Sequence, residues 1–401
     1  MKVLMLGWEL PPHNSGGLGV ACLQLCKMLA QKGADISFVV PYTADHDIDF
    51  MKIIPAHPQD VVEVIKSGLA YDSYKYVYKN GNETSVDIYG QQLLYEQSVG
   101  RLALDLDFDV IHAHDWLTFR AALRVKMMSG KPMIAHVHSI ESDRAGGKAG
   151  NPLVHEIEYQ AFMMADRIVA VSNFTKRGII RDYGVPADKI EVVHNSIDPS
   201  LFEALDEDNS YRYITKMKEQ GYRVVTNVGR LTVQKGLVNL LYAAREVVAR
   251  VPKTLFLLVG NGEQFVELLT LSADLGIGKN VILTGFQRGK RWRDAFAVSD
   301  LFVMPSVSEP FGIAPLEAIS YGSPVMISKQ SGVAEVLQHA LKVDFWDINE
   351  MANQMVGALR SDALRQELYT NAHRQFESMS WEPAAEKVMA LYDRHAAGGW
   401  A

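Results

Sequence analysis

The chain has 401 residues, 48% of them hydrophobic and 22% charged, as in an ordinary globular protein, and this length exceeds what one hydrophobic core normally serves. Two domains of roughly 150 residues or more are therefore expected. With 47 acidic and 40 basic side chains the net charge is -7, which excludes a general attraction to nucleic acid or to an anionic membrane.

The sequence shows no clear targeting signal and no membrane span. Its apolar start, residues 2–8, is short and is followed by Pro11 and Pro12 instead of a small-residue cleavage site. No run reaches the roughly 18 apolar residues that a spanning helix needs. Cys22 and Cys26 share one side of a predicted helix as small hydrophobic residues and leave no disulfide framework. We therefore expect a cytoplasmic protein.

The first half of the chain alternates short apolar runs with helical patterns, beginning with a strand at residues 3–6 and a helix at 18–32. The runs are too apolar for a sheet with one face in water, so parallel strands buried on both faces are expected. Further strands are predicted at residues 36–40, 110–113, 133–137, 167–171 and 190–193.

One segment, residues 74–90, breaks this alternation. Tyrosine occupies every second position from Tyr74 to Tyr78, and Asn80-Gly81 is a strong signal for a hairpin turn. We interpret the segment as an inserted β-hairpin. The tyrosines could stack on a sugar, but packing of one strand face explains their alternation more simply.

A polar stretch, residues 197–222, is typical of an interdomain connection. The alternation that follows it predicts a second doubly wound sheet, so the expected fold class is α/β with two Rossmann-like domains. The domains are assigned to residues 1–198 and 199–380, with a final helix in residues 381–401. Strands of the second series are predicted at residues 224–228, 254–259, 281–284, 301–304 and 324–327.

A glycine-rich loop follows the first strand and runs directly into a helix. Its Gly16-Gly17-Leu18-Gly19 sequence presents bare backbone N–H groups at the positive end of a helix dipole, which suits a phosphate. A dinucleotide fingerprint is disfavoured, because the loop is too long for that tight turn and no acid ends the second strand.

Two His-x-His pairs, His112 with His114 and His136 with His138, stand at predicted strand ends. Alternate residues of a strand share a face, so these pairs could bind a metal, and a metallohydrolase is the rival enzyme hypothesis. However, further ligands are missing in chain order, and histidines at strand ends often donate hydrogen bonds to substrate or backbone.

Charged residues of the second half also follow predicted strands, where doubly wound sheets bind ligands. Arg230 and Lys235 follow the strand at 224–228, and two fixed cations suit a diphosphate. Glu309 and Glu317 come after the strand at 301–304, where their carboxylates could accept hydrogen bonds from sugar and ribose hydroxyls. Taken singly, each could instead be a surface charge or an acid favoured at a helix start.

In this order the motifs resemble the family 4 retaining glycosyltransferases of GT-B fold, the group of glycogen-synthase-like and sucrose-phosphate-synthase-like enzymes. The resemblance covers nearly the whole chain, and the set is specific although each motif alone is not. The motifs are Trp8-Glu9-Leu10-Pro11-Pro12, Gly16-Gly17-Leu18-Gly19, His112-Ala113-His114-Asp115-Trp116, His138-Ser139, Asn195-Ser196-Ile197-Asp198, Gly229-Arg230-Leu231, Lys235-Gly236 and the segment from Glu309 to Glu317.

The resemblance implies transfer of a sugar, with retained configuration and without metal or another cofactor, from a nucleotide diphosphate sugar to an acceptor in the cleft between two domains. It also implies that the final helix returns to the first domain. The residues that it assigns to catalysis are His138, Glu309, Arg230 and Lys235. Those that it assigns to the donor are Gly17, Arg230, Lys235, Glu309, Phe311, Gly312, Ile313, Ala314 and Glu317, and to the acceptor Asp115 and Trp116.

One departure limits the assignment, because glycogen synthases carry a lysine two positions before the glycine pair and this chain has Asn14. Synthesis of a glycogen-like or starch-like glucan from a glucose donor is thus one candidate, and transfer to a small molecule or a lipid-linked glycan is another. A non-catalytic sugar-nucleotide binding protein is a third. The basic cluster at residues 290–293 leaves open contact with an anionic acceptor or a membrane surface. The nucleotide base and the oligomeric state do not follow from the motifs.

Overall fold

The computed structural model describes residues 1–14, 16–66, 74–202, 204–206 and 208–396. The described strands are β1 (Lys2–Leu6), β2 (Asp35–Val40), β3 (Lys52–Pro55), β4 (Val61–Lys66), β5 (Tyr74–Tyr78), β6 (Glu83–Val86), β7 (Val110–His114), β8 (Met133–Val137), β9 (Arg167–Ala170), β10 (Ile190–Val192), β11 (Arg223–Val228), β12 (Thr254–Val259), β13 (Val281–Leu283), β14 (Leu301–Met304), β15 (Val325–Ser328) and β16 (Leu341–Val343).

The α-helices of the same residues are α1 (Gly17–Gln31), α2 (Ile88–Leu102), α3 (Trp116–Ser129), α4 (Glu141–Arg144), α5 (Pro152–Met164), α6 (Asn173–Tyr183), α7 (Arg212–Glu219), α8 (Leu237–Arg250), α9 (Phe265–Asp274), α10 (Gly289–Ala297), α11 (Ala314–Ser320), α12 (Val333–Val336), α13 (Ile348–Arg360), α14 (Asp362–Glu377) and α15 (Glu382–Ala396). None of these helices is both long and apolar enough to cross a lipid bilayer.

The first sheet is parallel throughout, with the strand order β10-β9-β8-β7-β1-β2-β3. Six of its seven strands lie where the sequence predicts them, because they are buried on both faces and read as apolar runs. The exception is β3, an edge strand of four residues that ends in Pro55. Chain order reverses between β1 and β7, so the carboxyl ends of these two strands flank the position where doubly wound sheets bind ligands.

Strands β4, β5 and β6 form a separate antiparallel sheet. The predicted hairpin is confirmed in β5 and β6, and its turn closes through the Tyr78 N–H, which donates to the Asn82 carbonyl at 2.9 Å. Its predicted end at Gly90 is wrong, since this residue lies in the first turn of α2 and donates its N–H to the Asp87 cap at 2.8 Å. Tyr74 and Tyr76 are fully buried, as expected for one packed face of a strand.

The third sheet is again parallel, with the order β13-β12-β11-β14-β15-β16. The chain order of its strands reverses between β11 and β14. The sequence predicts all of these strands except β16, which has only three residues. Helices α8 and α13 cover one face, where Leu240, Leu241, Met351 and Met355 join a single hydrophobic core. Burial of each side chain of this size stabilises the fold by about 1.5–3 kcal/mol.

The chain divides into two compact units. The first comprises Met1–Glu141, Gly150–Ser196 and the described residues from Trp381 on, and the second comprises Ser142–Ala149 and Ile197–Ser380. The division therefore falls between Ser196 and Ile197, two residues before the boundary drawn from the sequence. In addition, residues 142–149 belong to the second unit, where Asp143 accepts a hydrogen bond from the Ser308 hydroxyl.

Helix α15 belongs to the first unit, where it packs on α1 and β7. Lys32 at the end of α1 forms ion pairs with Glu382 at 3.2 Å and Glu386 at 3.1 Å. The buried phenol of Tyr392 lies 2.6 Å from Nδ1 of His112 on β7. The last helix is thus connected directly to the strand that carries the first His-x-His pair.

Candidate active site

In the second unit, the loops after β11 and β14 are held together at the point where the strand order reverses. The Val307 N–H donates to the Gln234 carbonyl at 2.9 Å, and the Gln234 side-chain amide donates to the Ser308 carbonyl at 3.0 Å. Gly236, the residue before α8, has φ +65° and permits this approach, because a Cβ atom there would lie 2.1 Å from the Pro305 oxygen. The close contact requires glycine.

These loops bring Lys235 and Glu309, two of the predicted site residues, into direct contact. Lys235 Nζ lies 2.6 Å from Glu309 Oε2, and the Ser306 hydroxyl donates to the same oxygen at 2.9 Å. The Glu309 backbone is fixed as well, since its N–H donates to Gln330 O and its carbonyl accepts from Gly332 N–H, both at 2.9 Å. With 7% of its surface exposed, Glu309 is a buried anion balanced by the lysine.

Arg230, the other predicted cation, follows β11 directly and is exposed. The backbone beside it is rigid, because the Gly229 N–H donates to Val259 O and the Leu231 N–H donates to Asn261 O, both at 2.9 Å. Lys235 is therefore held in place by its ion pair, whereas the guanidinium of Arg230 extends from a fixed backbone into solvent.

The segment after Glu309 turns into α11 through Gly312. This residue has φ +95°, and a Cβ atom there would lie 2.8 Å from Met304 Cε, so both the conformation and the space favour glycine. Phe311 is buried on one side of it, and Ile313 and Ala314 begin the helix on the other. Glu317 lies in the first turn, where burial raises the pKa of its carboxyl to about 7.

In the first unit, Gly17 is the exposed first residue of α1. Asn14, at the position where glycogen synthases carry lysine, donates its side-chain amide to the Gly16 carbonyl at 2.9 Å. Gly19 packs so closely on the preceding loop that a Cβ atom would lie 3.0 Å from the Glu9 oxygen. The glycine-rich loop is thus compact, and Asn14 stabilises its conformation.

Asp115 connects the end of β7 to the end of β8. Its carboxylate accepts hydrogen bonds from the backbone N–H groups of His138 at 2.7 Å and Ser139 at 3.3 Å, while its own N–H donates to His136 O at 3.0 Å. Asp115 is also the one non-glycine residue of the described chain with a positive φ, +59°, a strain of about 1–3 kcal/mol that tends to occur at functional sites. The carboxylate therefore positions His138.

Trp116, predicted with Asp115 to contact the acceptor, begins α3 and is only 4% exposed. Its carbonyl accepts from the Gln92 side chain at 2.8 Å, and its buried indole Nε1 has no hydrogen-bond partner in the described structure. The two predicted acceptor residues thus lie at the edge of the sheet, largely covered by protein.

The four histidines of the two His-x-His pairs form a ladder between β7 and β8. Nε2 of His112 lies 3.0 Å from Nδ1 of His136, and Nδ1 of His114 lies 2.9 Å from Nε2 of His138. Burial lowers the pKa of His112 and His138 to about 3, and it holds the pKa values of His114 and His136 well below the ordinary histidine range. All four rings are therefore neutral near pH 7.

Two sets of side chains, one within this ladder and one that adds Cys22 to two of its histidines, approach the spacing of a metal site. Ring nitrogens of His112, His114 and His136 lie within 4.8 Å of one another, as do the ligand atoms of Cys22, His114 and His138. Carboxylates are absent from both sets, as far as the chain is described, and the rings hydrogen-bond to each other across the two strands. Ring-to-ring hydrogen bonds explain this spacing without a metal, and the expectation that the site holds no metal stays a prediction.

Two side chains of the basic cluster at residues 290–293 form ion pairs with acidic residues of the same unit. Lys290 pairs with Asp206 at 2.7 Å and with Asp294 at 3.3 Å, and Arg293 pairs with Asp206 at 2.5 Å. Trp292 packs edge-on against Phe296. These pairings weaken the case for an anion-binding or membrane-binding role of the cluster.

Both halves of the chain match known family models. Residues 15–201 match the Glycosyltransferase Family 4 model, and residues 214–375 match the model described as Glycosyl transferases group 1. The chain is 28% identical to an uncharacterized glycosyltransferase of Methanocaldococcus jannaschii, with 98% of both chains covered. It is 25% identical to the D-inositol 3-phosphate glycosyltransferase of Rhodococcus opacus, covering 94% of this chain and 86% of that one.

A glycogen synthase of Mycobacterium tuberculosis is 24% identical, with 98% of this chain and 94% of that protein covered. Among solved structures, the sucrose-phosphate synthase of Thermosynechococcus elongatus superposes with a TM-score of 0.75 at 18% identity, over 99% of this chain and 100% of that one. At this identity the structural match establishes the fold, and the two family models together establish the class of enzyme.

Proposed function

We infer that this chain, which belongs to the family 4 glycosyltransferases of GT-B fold, transfers a hexose from a nucleotide diphosphate sugar to a carbohydrate acceptor. The observation that carries the inference is the ion pair of Lys235 and Glu309 at the reversal of the second parallel sheet. A cation for a diphosphate and an anion for sugar hydroxyls stand side by side there, on loops that are fixed by hydrogen bonds.

In this proposal Lys235 and Arg230 stabilise the diphosphate as it leaves. Negative charge grows on its oxygens when the bond to the sugar breaks, and fixed cations stabilise that charge more than they stabilise the bound donor. Glu309 accepts hydrogen bonds from the transferred sugar, and Glu317 accepts from the ribose. The backbone amides of residues 311–314 face the donor, and the resemblance assigns Gly17 to the donor as well.

We propose that the configuration of the sugar is retained. The bond between the anomeric carbon and the phosphate oxygen breaks, the bond to the acceptor oxygen forms on the same face, and the acceptor proton passes to the leaving phosphate. Because the pKa of His138 is about 3, its ring is neutral and does not supply a proton as an imidazolium at neutral pH. Protonation of the leaving phosphate by the acceptor is consistent with that charge state.

For the acceptor, we propose a glucan, with glucose as the transferred sugar. The similarity to a glycogen synthase over nearly the whole of both chains supports this choice. Transfer to a small molecule is the second candidate, supported by the similarity to an inositol phosphate glycosyltransferase and by Asn14 at the lysine position. The presence of both Lys235 and Glu309 argues against a protein that only binds sugar nucleotides, because such a protein would not need both charged residues of a transfer site.

The test is release of nucleoside diphosphate from a panel of UDP-, ADP- and GDP-sugars, with and without a glucan or inositol phosphate. We expect one donor to be consumed faster when one acceptor is present, and Lys235→Ala to abolish this acceleration. Lys279→Ala, which removes an exposed lysine of the same unit, is the matched control and should behave as wild type. Release that no acceptor accelerates, or equal rates in Lys235→Ala, would overturn the proposal.

A further inference from the structure

The second rung of the histidine ladder ends on a methionine. His114 Nδ1 lies 2.9 Å from His138 Nε2, and His114 Nε2 lies 3.1 Å from the sulfur of Met5 on β1. Met5 and His114 are fully buried, whereas His138 is only half-buried at the end of β8. A row of three side chains thus runs from the core of the first unit to the edge of its sheet.

The proton positions along this row follow from the chemistry of its members. A neutral imidazole carries one N–H donor and one bare acceptor nitrogen, and a thioether sulfur has no proton and can only accept. Two lone pairs facing each other at 3.1 Å would repel, so the His114 proton is on Nε2, toward Met5. Nδ1 of His114 is then bare and accepts from the protonated Nε2 of His138.

This leaves Nδ1 of His138 without a proton. Its position is fixed from the other side, because the backbone N–H groups of His138 and Ser139 both donate to the Asp115 carboxylate. No described residue hydrogen-bonds to this nitrogen. It is therefore a preorganised acceptor at the carboxyl edge of β8.

We propose that Met5 and His114 are positioning residues that hold His138 in the tautomer with its proton on Nε2, so that this strand end offers the bare Nδ1 as a hydrogen-bond acceptor to a hydroxyl donor of a ligand. The assignment of the tautomer stands on the protein alone, and its effect on turnover rests on the function proposed above.

The tautomer can be measured without any substrate, by long-range proton–nitrogen correlation NMR on protein with ¹⁵N-labelled histidine. The chain has twelve histidines, and His138→Gln identifies the signals of His138 by their loss. In the wild type at pH 7.5 we expect His138 to carry its proton on Nε2. A proton on Nδ1, or a doubly protonated ring, would overturn the proposal whether or not the protein transfers sugar.

Met5→Leu tests the role of the sulfur with a volume-conserving change, which cores tolerate best. We expect the His138 signals to shift toward a mixture of tautomers and kcat to fall about twofold to tenfold, the scale of one hydrogen bond, with donor affinity nearly unchanged. Met326→Leu, a fully buried methionine of the second unit, is the matched control and should change neither. An unchanged tautomer in Met5→Leu, at an unchanged thermal midpoint, would contradict the proposal.

Discussion

With Glu317 on the ribose, as proposed above, donor binding should strengthen as the pH rises. Burial raises the pKa of this carboxyl to about 7 in the unliganded protein, so it is about one-tenth ionised at pH 6 and about nine-tenths ionised at pH 8. In the proposed complex the ribose hydroxyls donate to the ionised form, which would lower the pKa of Glu317 on binding and release a proton. Affinity should therefore rise with pH, by about tenfold between pH 6 and pH 8.

The donor itself should not mask this effect, because a nucleotide diphosphate sugar has no phosphate group that titrates in this window. Calorimetric titration with the donor, in buffers of different ionisation enthalpy, gives both the dissociation constant and the number of protons released. About half a proton per site is expected at pH 7.

The control substitution is Glu317→Gln, which keeps the shape and cannot ionise. It should bind the donor with an affinity that does not vary over this range, while Glu263→Gln, an exposed carboxyl of the same unit, should keep the wild-type dependence. If wild-type affinity is flat from pH 6 to pH 8, or if Glu317→Gln keeps the slope, Glu317 does not contact the ribose as an ionised carboxylate.

Three further predictions follow from the same structure. Lys235→Ala should lower kcat by roughly 100-fold or more without loss of the fold, the scale of one preorganised stabiliser, and full turnover at saturating donor would show that Lys235 does not contact the leaving group. Chelation with EDTA should leave turnover unchanged, because cations of the protein meet the diphosphate charge; loss of activity that magnesium or manganese restores would refute this. The neutral, buried His112 should make the fold acid-sensitive: its pKa is about 3 when folded and 6.5 when unfolded, so this ring alone should lower the free energy of unfolding by about 1.6 kcal/mol from pH 6.5 to pH 5, in addition to the losses from His114, His136 and His138. Urea unfolding of wild type and His112→Gln measures the difference, and an equal loss in both proteins would contradict it.

Much of the fold could be predicted from the sequence because both parallel sheets are buried on both faces. Strands β8, β12 and β14 read as uninterrupted apolar runs, and the structure gives them the predicted limits. The edge strands β3 and β16 were missed because three or four residues beside polar loops carry too little pattern. The sequence also predicts that Arg230, Lys235 and Glu309 come after strand ends, and the structure confirms these positions.

The contacts within the site were harder to foresee. Lys235 and Glu309 are separated by 74 residues, and their ion pair depends on loops whose path is set by Gly236 and Gln234, which no periodicity shows. Met5 and Tyr392 read as ordinary core residues of a strand and a helix, yet each lies against a histidine of the ladder. The sequence predicts that Asp115 faces an acceptor. Its hydrogen bonds to the backbone of residues 138 and 139 depend on strand order and on a positive φ, neither of which the sequence reveals.

The most direct test of glycosyl transfer is a proton NMR time course of a reaction that contains the preferred nucleotide sugar and its acceptor. We predict that nucleoside diphosphate and a new glycosidic linkage appear in equal amounts, and that the first product has the anomeric configuration of the donor. An intact donor in the presence of every acceptor, release of free sugar in place of a glycoside, or a first product of inverted configuration would contradict the account.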